Sequence, residues 1–400
     1  MRSAGLFHRV VWLCVAILAT AMPHALSSDP PATPPLRLSK AGVVMLPHTT
    51  IDDDGREAMI TGLSGITWLG DDRYAAIMDN SDRVLLFSLP IAPDGIPGEP
   101  ADLELITLSE KHDYEDIAPC PEALEKRIAG KRIRQGFVDP GRCALVCEED
   151  TPAIRAISLI DGSLLGVIPT PKIFATRRPN RGFESIDVEP DGRHIWSANE
   201  EALPADGPAA SASAGTVVRL TRIAIPEQTP QVTPQQPIQL AYAVDPPHEF
   251  VRVFSGEPLS GVSALMGLGD GTLLVLERSG CPGLPPFENR IYLVDPRSAT
   301  DVTDVEKDLA MQPDRFMKKT LLWKEQLGCN VEGLCLGPST TPQSRLLLGI
   351  ADNGGIGTPN QIVTFLLEEP ANESSLVPFV IGGCAIAMAV LGLLLYRLTR

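Results

Sequence analysis

Ser64, Glu115, Glu184, Ser263 and Glu332 each stand one or two residues into a short apolar run, and Asp79, Glu148, Glu200, Glu277 and Asp352 each close the run that follows. Glu115, Glu184 and Glu332 are separated by 69 and 148 residues, so only a repeating fold brings them to one place. Unpaired carboxylates gathered in a partly dehydrated site repel one another and must protonate, pair with arginine or bind a cation. Hard oxygen donors of this kind suit calcium, with Asn80, Asn199, Asn330 and Asn353 as neutral partners. A cation held by Glu115, Glu184 and Glu332 could polarise a substrate oxygen for hydrolysis. The same recurrence also has an architectural explanation, in which the second-run acids pair with Arg83, Arg155 and Arg290 at the starts of third strands.

Other hydrolytic and nucleotide chemistries are poorly represented. Gly62-Leu63-Ser64-Gly65 is followed by isoleucine, so it does not complete a nucleophile elbow. The six histidines are scattered, and His194 lies in a strand where a packed or exposed role is expected. No phosphate-cradling glycine loop of the P-loop or dinucleotide-binding type occurs.

The elements that must position these acids recur. GLSGITWLGDDRYAAIMDN from Gly62, YEDIAP with CALVCEED from Tyr114, GFESIDVEPDGRHIWSANEE from Gly182, GVSALMGLGDGTLLVLER from Gly261, and NVEGLCLGP with LLLGIADN from Asn330 are copies of one strand–turn–strand unit. Third strands follow at 84–89, 156–160, 217–223, 291–294 and 362–367. A few short antiparallel strands cannot bury both faces alone, so radial stacking around an axis is the economical arrangement. The expectation is an all-β fold, a β-propeller of six blades with five and seven open, in which residues 226–256 could complete another blade. The strand at 42–46 is expected to pair with the last blade and close the ring.

The two ends read differently from the body. Residues 1–27 have the charged, apolar and small-residue regions of a signal peptide, and 28–57 form a proline-rich leader with a first strand. Residues 58–367 are the propeller and 368–375 a polar spacer. The run 376–396 is uncharged and long enough for a transmembrane helix, closed by a basic tail at 397–400. A processed sorting tail has the same composition. Four of the 34 basic residues lie in these terminal segments, leaving 30 against 50 acids, a net charge of −20 for the exported part. Such a surface repels nucleic acid. Of the six cysteines outside the terminal segments, Cys120 with Cys143 and Cys281 with Cys329 are the expected bridges in an oxidising compartment.

The elements GLSGI, DYEDIA, GFESIDVEPDGR, WSANEE, VEGL and IADN resemble the phytase-like domain family with esterase-like activity, over about residues 58–367. The resemblance implies a propeller and acid-dependent hydrolysis of an ester or phosphoester. It carries the site onto Glu115, Glu184 and Glu332, and gives Asp79, Glu200 and Asp352 the catalytic role. Serine replaces the acid at 64 and 263, and an insertion between Cys120 and Cys143 splits the second repeat. Two functions follow as expectations: a calcium-dependent hydrolase acting on a small-molecule ester or phosphoester, or a non-catalytic propeller that binds a cell-envelope ligand or protein.

Overall fold

The computed structural model describes residues 36–52, 55–121, 124, 143–225, 236–326, 328–352 and 359–369. The expected signal peptide, spacer beyond Glu369, membrane span and basic tail lie outside the described residues. So does most of the short helix candidate at 121–128. Among the described residues no helix is long and apolar enough to cross a membrane.

Among the described residues of Arg37–Glu368, five antiparallel sheets of four strands form the body, with two two-stranded ribbons beside them. Blade one is Leu63–Gly70, Arg73–Met78, Arg83–Ser88 and Ala101–Thr107. Blade two is Tyr114–Pro119, Cys143–Glu148, Ala153–Ser158 and Leu164–Ile168. Blade three is Phe183–Val188, His194–Asn199, Val217–Ala224 and Ile238–Ala243. Blade four is Leu259–Gly267, Leu273–Gly280, Phe287–Asp295 and Lys318–Glu325. Blade five is Asn330–Thr341, Ser344–Asp352 and Gln361–Glu368, completed by Arg37–Met45 on its outer edge. The first strand of each blade touches the first strands of its two neighbours, and the contacts between blades five and one close the ring.

Five blades fall at the lower end of the expected range, because Ile238–Ala243 completes blade three and does not start another. Val251–Arg252 pairs with Gly283–Leu284 as a small separate ribbon. Arg37 lies opposite Glu368 and Met45 opposite Gln361, so the first strand shields the edge that the last blade would otherwise expose. Register also places Glu368 beside Ser344, at the end of blade five remote from Asp352.

The apolar residues pack in layers between blades. Leu63, Ile66 and Tyr74 of blade one meet Leu346, Leu348 and Ile350 of blade five, and Ile117 and Val146 of blade two meet Ile77 and Val84 of blade one. Both faces of a blade are therefore covered, which is why strands such as Leu273–Gly280 are almost wholly buried. Each such aliphatic side chain contributes roughly 1.5–3 kcal/mol by leaving water. The inner strands come so close that a Cβ on Gly333 would sit 2.7 Å from Gly65 Cα and from Ser64 O. In the Gly269-Asp270-Gly271 turn both glycines have φ of +90°, and Asp270 Oδ1 accepts from Thr272 N at 2.8 Å.

Cys120 and Cys143 are bridged, with Cα atoms 5.4 Å apart. The second expected bridge is not present: Cys281 and Cys329 are free. Cys281 Sγ faces His248, 3.6 Å from Nδ1, while Cys329 is buried. Arg219, fully buried, ties blade three to the long loop before the last strand of blade four. It pairs with Asp206 at 2.6 and 2.7 Å and donates to Gln239, Val302 O and Val305 O.

Candidate metal centre at the propeller mouth

Every innermost strand carries a register shift at the aligned position. The shifts fall between Leu63 and Gly65, Tyr114 and Asp116, Phe183 and Ser185, Val262 and Ala264, and Val331 and Gly333. Ser64, Glu115, Glu184, Ser263 and Glu332 are thus the extra residues of five equivalent β-bulges. A bulge re-aims its extra side chain out of the ladder, which explains one position per blade being set apart. The two serines serve architecture: Ser64 Oγ donates to Tyr114 O and Ser263 Oγ to Val331 O, each at 3.3 Å, linking adjacent inner strands.

Register also defines the second ring. Leu63 pairs with Met78, Tyr114 with Glu148, Phe183 with Asn199, Gly261 with Arg278 and Asn330 with Asp352. The equivalent residues are therefore Asp79, Glu149, Glu200, Arg278 and Asp352. Backbone bonds from Asp79 N to Gly62 O, Glu149 N to Asp113 O and Glu200 N to Gly182 O mark the same place in three blades. The expected Glu148 and Glu277 are each one residue off, and a one-residue step along a strand reverses the face. Glu148 turns to Arg155 Nε at 2.7 Å and His112 Nδ1 at 3.0 Å. Glu277 accepts from Tyr242 Oη at 2.7 Å, Asp245 N at 3.0 Å and Lys319 Nζ at 2.5 Å. For these two acids the architectural explanation holds. Of the expected arginine partners, Arg155 pairs as proposed, Arg290 lies 3.8 Å from Glu277 and closer to Glu288, and Arg83 reaches Asp52.

The mouth divides into two halves. On one side Arg278 pairs with both Glu200 and Glu332, Arg181 Nη1 reaches Glu200 Oε2 at 2.9 Å, and Asn330 Nδ2 donates to Glu332. Burial opposes the Arg278 charge, but Glu200, Glu332 and Glu184 outweigh it and hold the guanidinium firmly protonated. Burial pushes the Glu332 carboxyl up to about 8 against the pull of Arg278, with Asp352 and Asp79 adding to the rise. Arg278 Nε is buried and has no acceptor.

On the other side are carboxylates with no ion pair to any described basic side chain. Oxygens of Asp79, Asp113 and Glu115 lie within 4.8 Å of one another, and so do oxygens of Glu115, Glu149 and Glu184. Asn80 Nδ2 donates to Asp79 at 2.8 Å and Gly182 N to Glu149 at 2.9 Å. Asp113, 8% exposed, keeps a buried Oδ1 that no N–H or hydroxyl donor reaches, and its carboxyl is hydrogen-bonded to that of Asp79. Burial and then Asp113 raise Asp79 to about 7, and burial and Glu200 raise Glu149 to about 7 against the Gly182 N–H. Glu115 and Glu184 are pushed well above the carboxylate range by burial and by the acids around them. An all-oxygen donor set, crowded and under-neutralised, fits a hard divalent cation.

Of the expected site residues, then, Glu115, Glu184 and Asp79 meet in these two groups, and Glu200 and Glu332 meet at Arg278. Asp352 is the blade-five member of the second ring. Asn199 is committed elsewhere, accepting from Arg219 N and donating to Glu201 O, and Asn353 lies outside the described residues. Asp113, Glu149, Arg181 and Arg278 were not anticipated. The paired acids of CEED, the acid opening DYEDIA and the basic residue closing VLER are signals that could have pointed to three of them. At the opposite end of the inner strands Glu189, Asp191 and His194 form a third group beside a cavity of 140 Å³. Glu189 there is saturated by Arg222 at 2.7 and 2.8 Å, Trp196 at 2.8 Å and His194 at 3.0 Å.

Among known proteins, the model of a family described as phytase-like, with the esterase-like activity of phytase, matches residues 59–355. No curated protein matches the chain. Among solved structures, a Bacteroides thetaiotaomicron protein of unknown function is 10% identical with a TM-score of 0.34, over 83% of this chain and 76% of that one. A Lactobacillus plantarum protein is 8% identical with a TM-score of 0.31, over 80% and 90%. Kluyveromyces lactis Hsv2 is 8% identical with a TM-score of 0.28, over 71% and 69%.

Proposed function

The chain belongs to the phytase-like family, and from that premise we propose that it is an exported, membrane-held hydrolase of small-molecule esters or phosphoesters that depends on a divalent cation, calcium by its donor set. The observation that carries this reading is the convergence of Asp79, Asp113, Glu115, Glu149 and Glu184 without a described basic partner. A cation there would supply Lewis-acid polarisation of a substrate oxygen. Glu115, common to both groups, would hold it with Asp79 and Asp113 or with Glu149 and Glu184.

The arginine half of the mouth orients the substrate. Glu200 and Glu332 clamp Arg278 from two sides, so its guanidinium charge is fixed in place at the mouth and attracts an anionic substrate without reorganising. The burial of Glu149, Glu184 and Glu200 keeps bulk water away from these contacts and strengthens them.

The test is turnover by the purified full-length protein of a phosphomonoester, a phosphodiester and a carboxylester, each with calcium and with a chelator. Calcium-dependent release from at least one substrate is expected. Calcium binding with no turnover of any of the three would leave the protein a ligand-binding propeller.

A further inference from the structure

We propose that Cys281 and His248 form a thiol–imidazole pair that attacks a low-molecular-weight disulfide and keeps half of it as a mixed disulfide. The proposal uses none of the mouth carboxylates and stands apart from the hydrolase reading.

The pair is assembled by the loop that follows the second strand of blade four. Cys281 N donates to Pro286 O at 2.8 Å, and Pro282 O accepts from Val253 N and Phe254 N at 3.0 Å each, so the backbone on both sides of the thiol is fixed. His248, 6% exposed, is held at three points. Its backbone N–H donates to Ser279 Oγ at 3.0 Å, its Nε2 lies 2.9 Å from Pro285 O, and its Nδ1 lies 2.7 Å from Ser279 Oγ. A carbonyl only accepts, so Nε2 carries the proton and the neutral ring keeps a lone pair on Nδ1. Cys281 Sγ lies 3.6 Å from that nitrogen and 3.7 Å from His248 O. A thiol beside the accepting nitrogen of an imidazole, whose other nitrogen is tied to a carbonyl, has the parts of a nucleophile, its base and the group that orients the base.

Of the four described free cysteines, Cys147, Cys329 and Cys335 are buried and Cys281 alone is partly exposed. Burial pushes the Cys281 thiol up, with Ser279 and Arg290 opposing, so it rests protonated and depends on a base to react. His248 Nδ1 takes the thiol proton, and the Cys281 sulfur attacks one sulfur of the disulfide. That S–S bond breaks, and the departing thiolate takes the proton from Nδ1. One disulfide is consumed, one is formed and one small thiol is released, so no further oxidant enters. Attack on an ester would also need donors for the developing oxyanion. The N–H groups of Cys281 and Gly283, on either side of Pro282, are committed to Pro286 O and Cys281 O. A disulfide is therefore the electrophile that the pair fits, and the partial exposure of the thiol admits a small one.

The experiment treats the full-length protein in detergent with oxidised glutathione at neutral pH and follows the labelling of each cysteine by mass spectrometry of peptides. One glutathionyl group on Cys281, reversed by dithiothreitol, and none on Cys147, Cys329 or Cys335 is expected. An ordinary thiol is only a few per cent ionised at pH 7, so folded Cys281 should react about tenfold faster than Cys281 of the same protein unfolded in urea. His248→Gln should remove that advantage when folded and leave the rate in urea unchanged, a difference that loss of packing alone does not produce. Circular dichroism identifies a variant that fails to fold, in which case the folded-to-urea ratio of the wild type decides. Labelling of folded Cys281 no faster than in urea, a folded His248→Gln that keeps the wild-type rate, or equal labelling of the buried cysteines overturns the proposal.

Discussion

Replacing Arg278 by glutamine removes the guanidinium that pairs with Glu200 and Glu332 and leaves both acids in place. The arginine side chain is 12% exposed, Glu200 is 2% and Glu332 14%, so solvent screens these pairs little. Deleting one partner of a buried pair costs about 3–5 kcal/mol, because the remaining charge is stranded. In a body of this size that corresponds to a fall in Tm of roughly 4–7 °C. The loss must depend on pH. The folded Glu332 pKa of about 8 already lies above its ordinary 4.5, and removing the arginine raises it further. Between those values the folded state binds more protons than the unfolded one, so stability falls as pH rises. Below pH 8 Glu332 is protonated in both folded proteins and the two curves fall in parallel, so the Glu332 part of the gap opens only above pH 8. Urea unfolding followed by tryptophan fluorescence at about pH 7 and about pH 9.5, with a chelator present, reads it. A gap that does not widen between those two pH values would show that Arg278 does not hold down the Glu332 pKa.

In the wild type without cations, Asp79 and Glu149 near 7 and Glu332 near 8 should make stability decline from about pH 4.5 to about pH 8, the reverse of ordinary acid unfolding. Calcium should flatten that decline, and melting curves at pH 5 and 8 with and without it decide the point. Non-reducing peptide mapping should recover Cys120 linked to Cys143, a bridge worth about 3 kcal/mol in the chain-entropy account, and Cys281 and Cys329 unlinked. A Cys281–Cys329 peptide would contradict the placement of Cys281 against His248. The full-length protein should partition with membranes and a chain ending at Pro370 should not, as the uncharged run at 376–396 requires. A mature C-terminus near residue 375 by mass spectrometry would replace the anchor with a processed tail.

The inner positions 64, 115, 184, 263 and 332 were legible because each bulge sits at a fixed offset inside a repeated apolar run. The second ring was legible in blades one, three and five, where a single carboxylate or the first of a pair closes the strand. It slipped in blades two and four. Glu148 and Glu149 are adjacent acids, and composition cannot tell which faces the mouth; only the pairing of Tyr114 with Glu148 does. In blade four Glu277 has the anticipated charge, while the residue at the mouth is Arg278, whose opposite sign hid it from a search for recurring acids. The strand at 238–243 was visible as a strand, but its partner is a matter of long-range pairing, and it joins Val217–Ala224. Asp113 precedes its strand and enters the site only because the backbone of Glu149 bonds to it.

The central claim is that Glu115 joins calcium to catalysis, and the most direct measurement is ester turnover against free calcium for wild type and Glu115→Gln side by side. Glutamine keeps the volume and removes the charge common to both triads. The account predicts that wild-type turnover rises with calcium and that Glu115→Gln, still folded, loses both the rise and the turnover. Undiminished turnover in Glu115→Gln, or wild-type turnover that persists in a chelator, would contradict it.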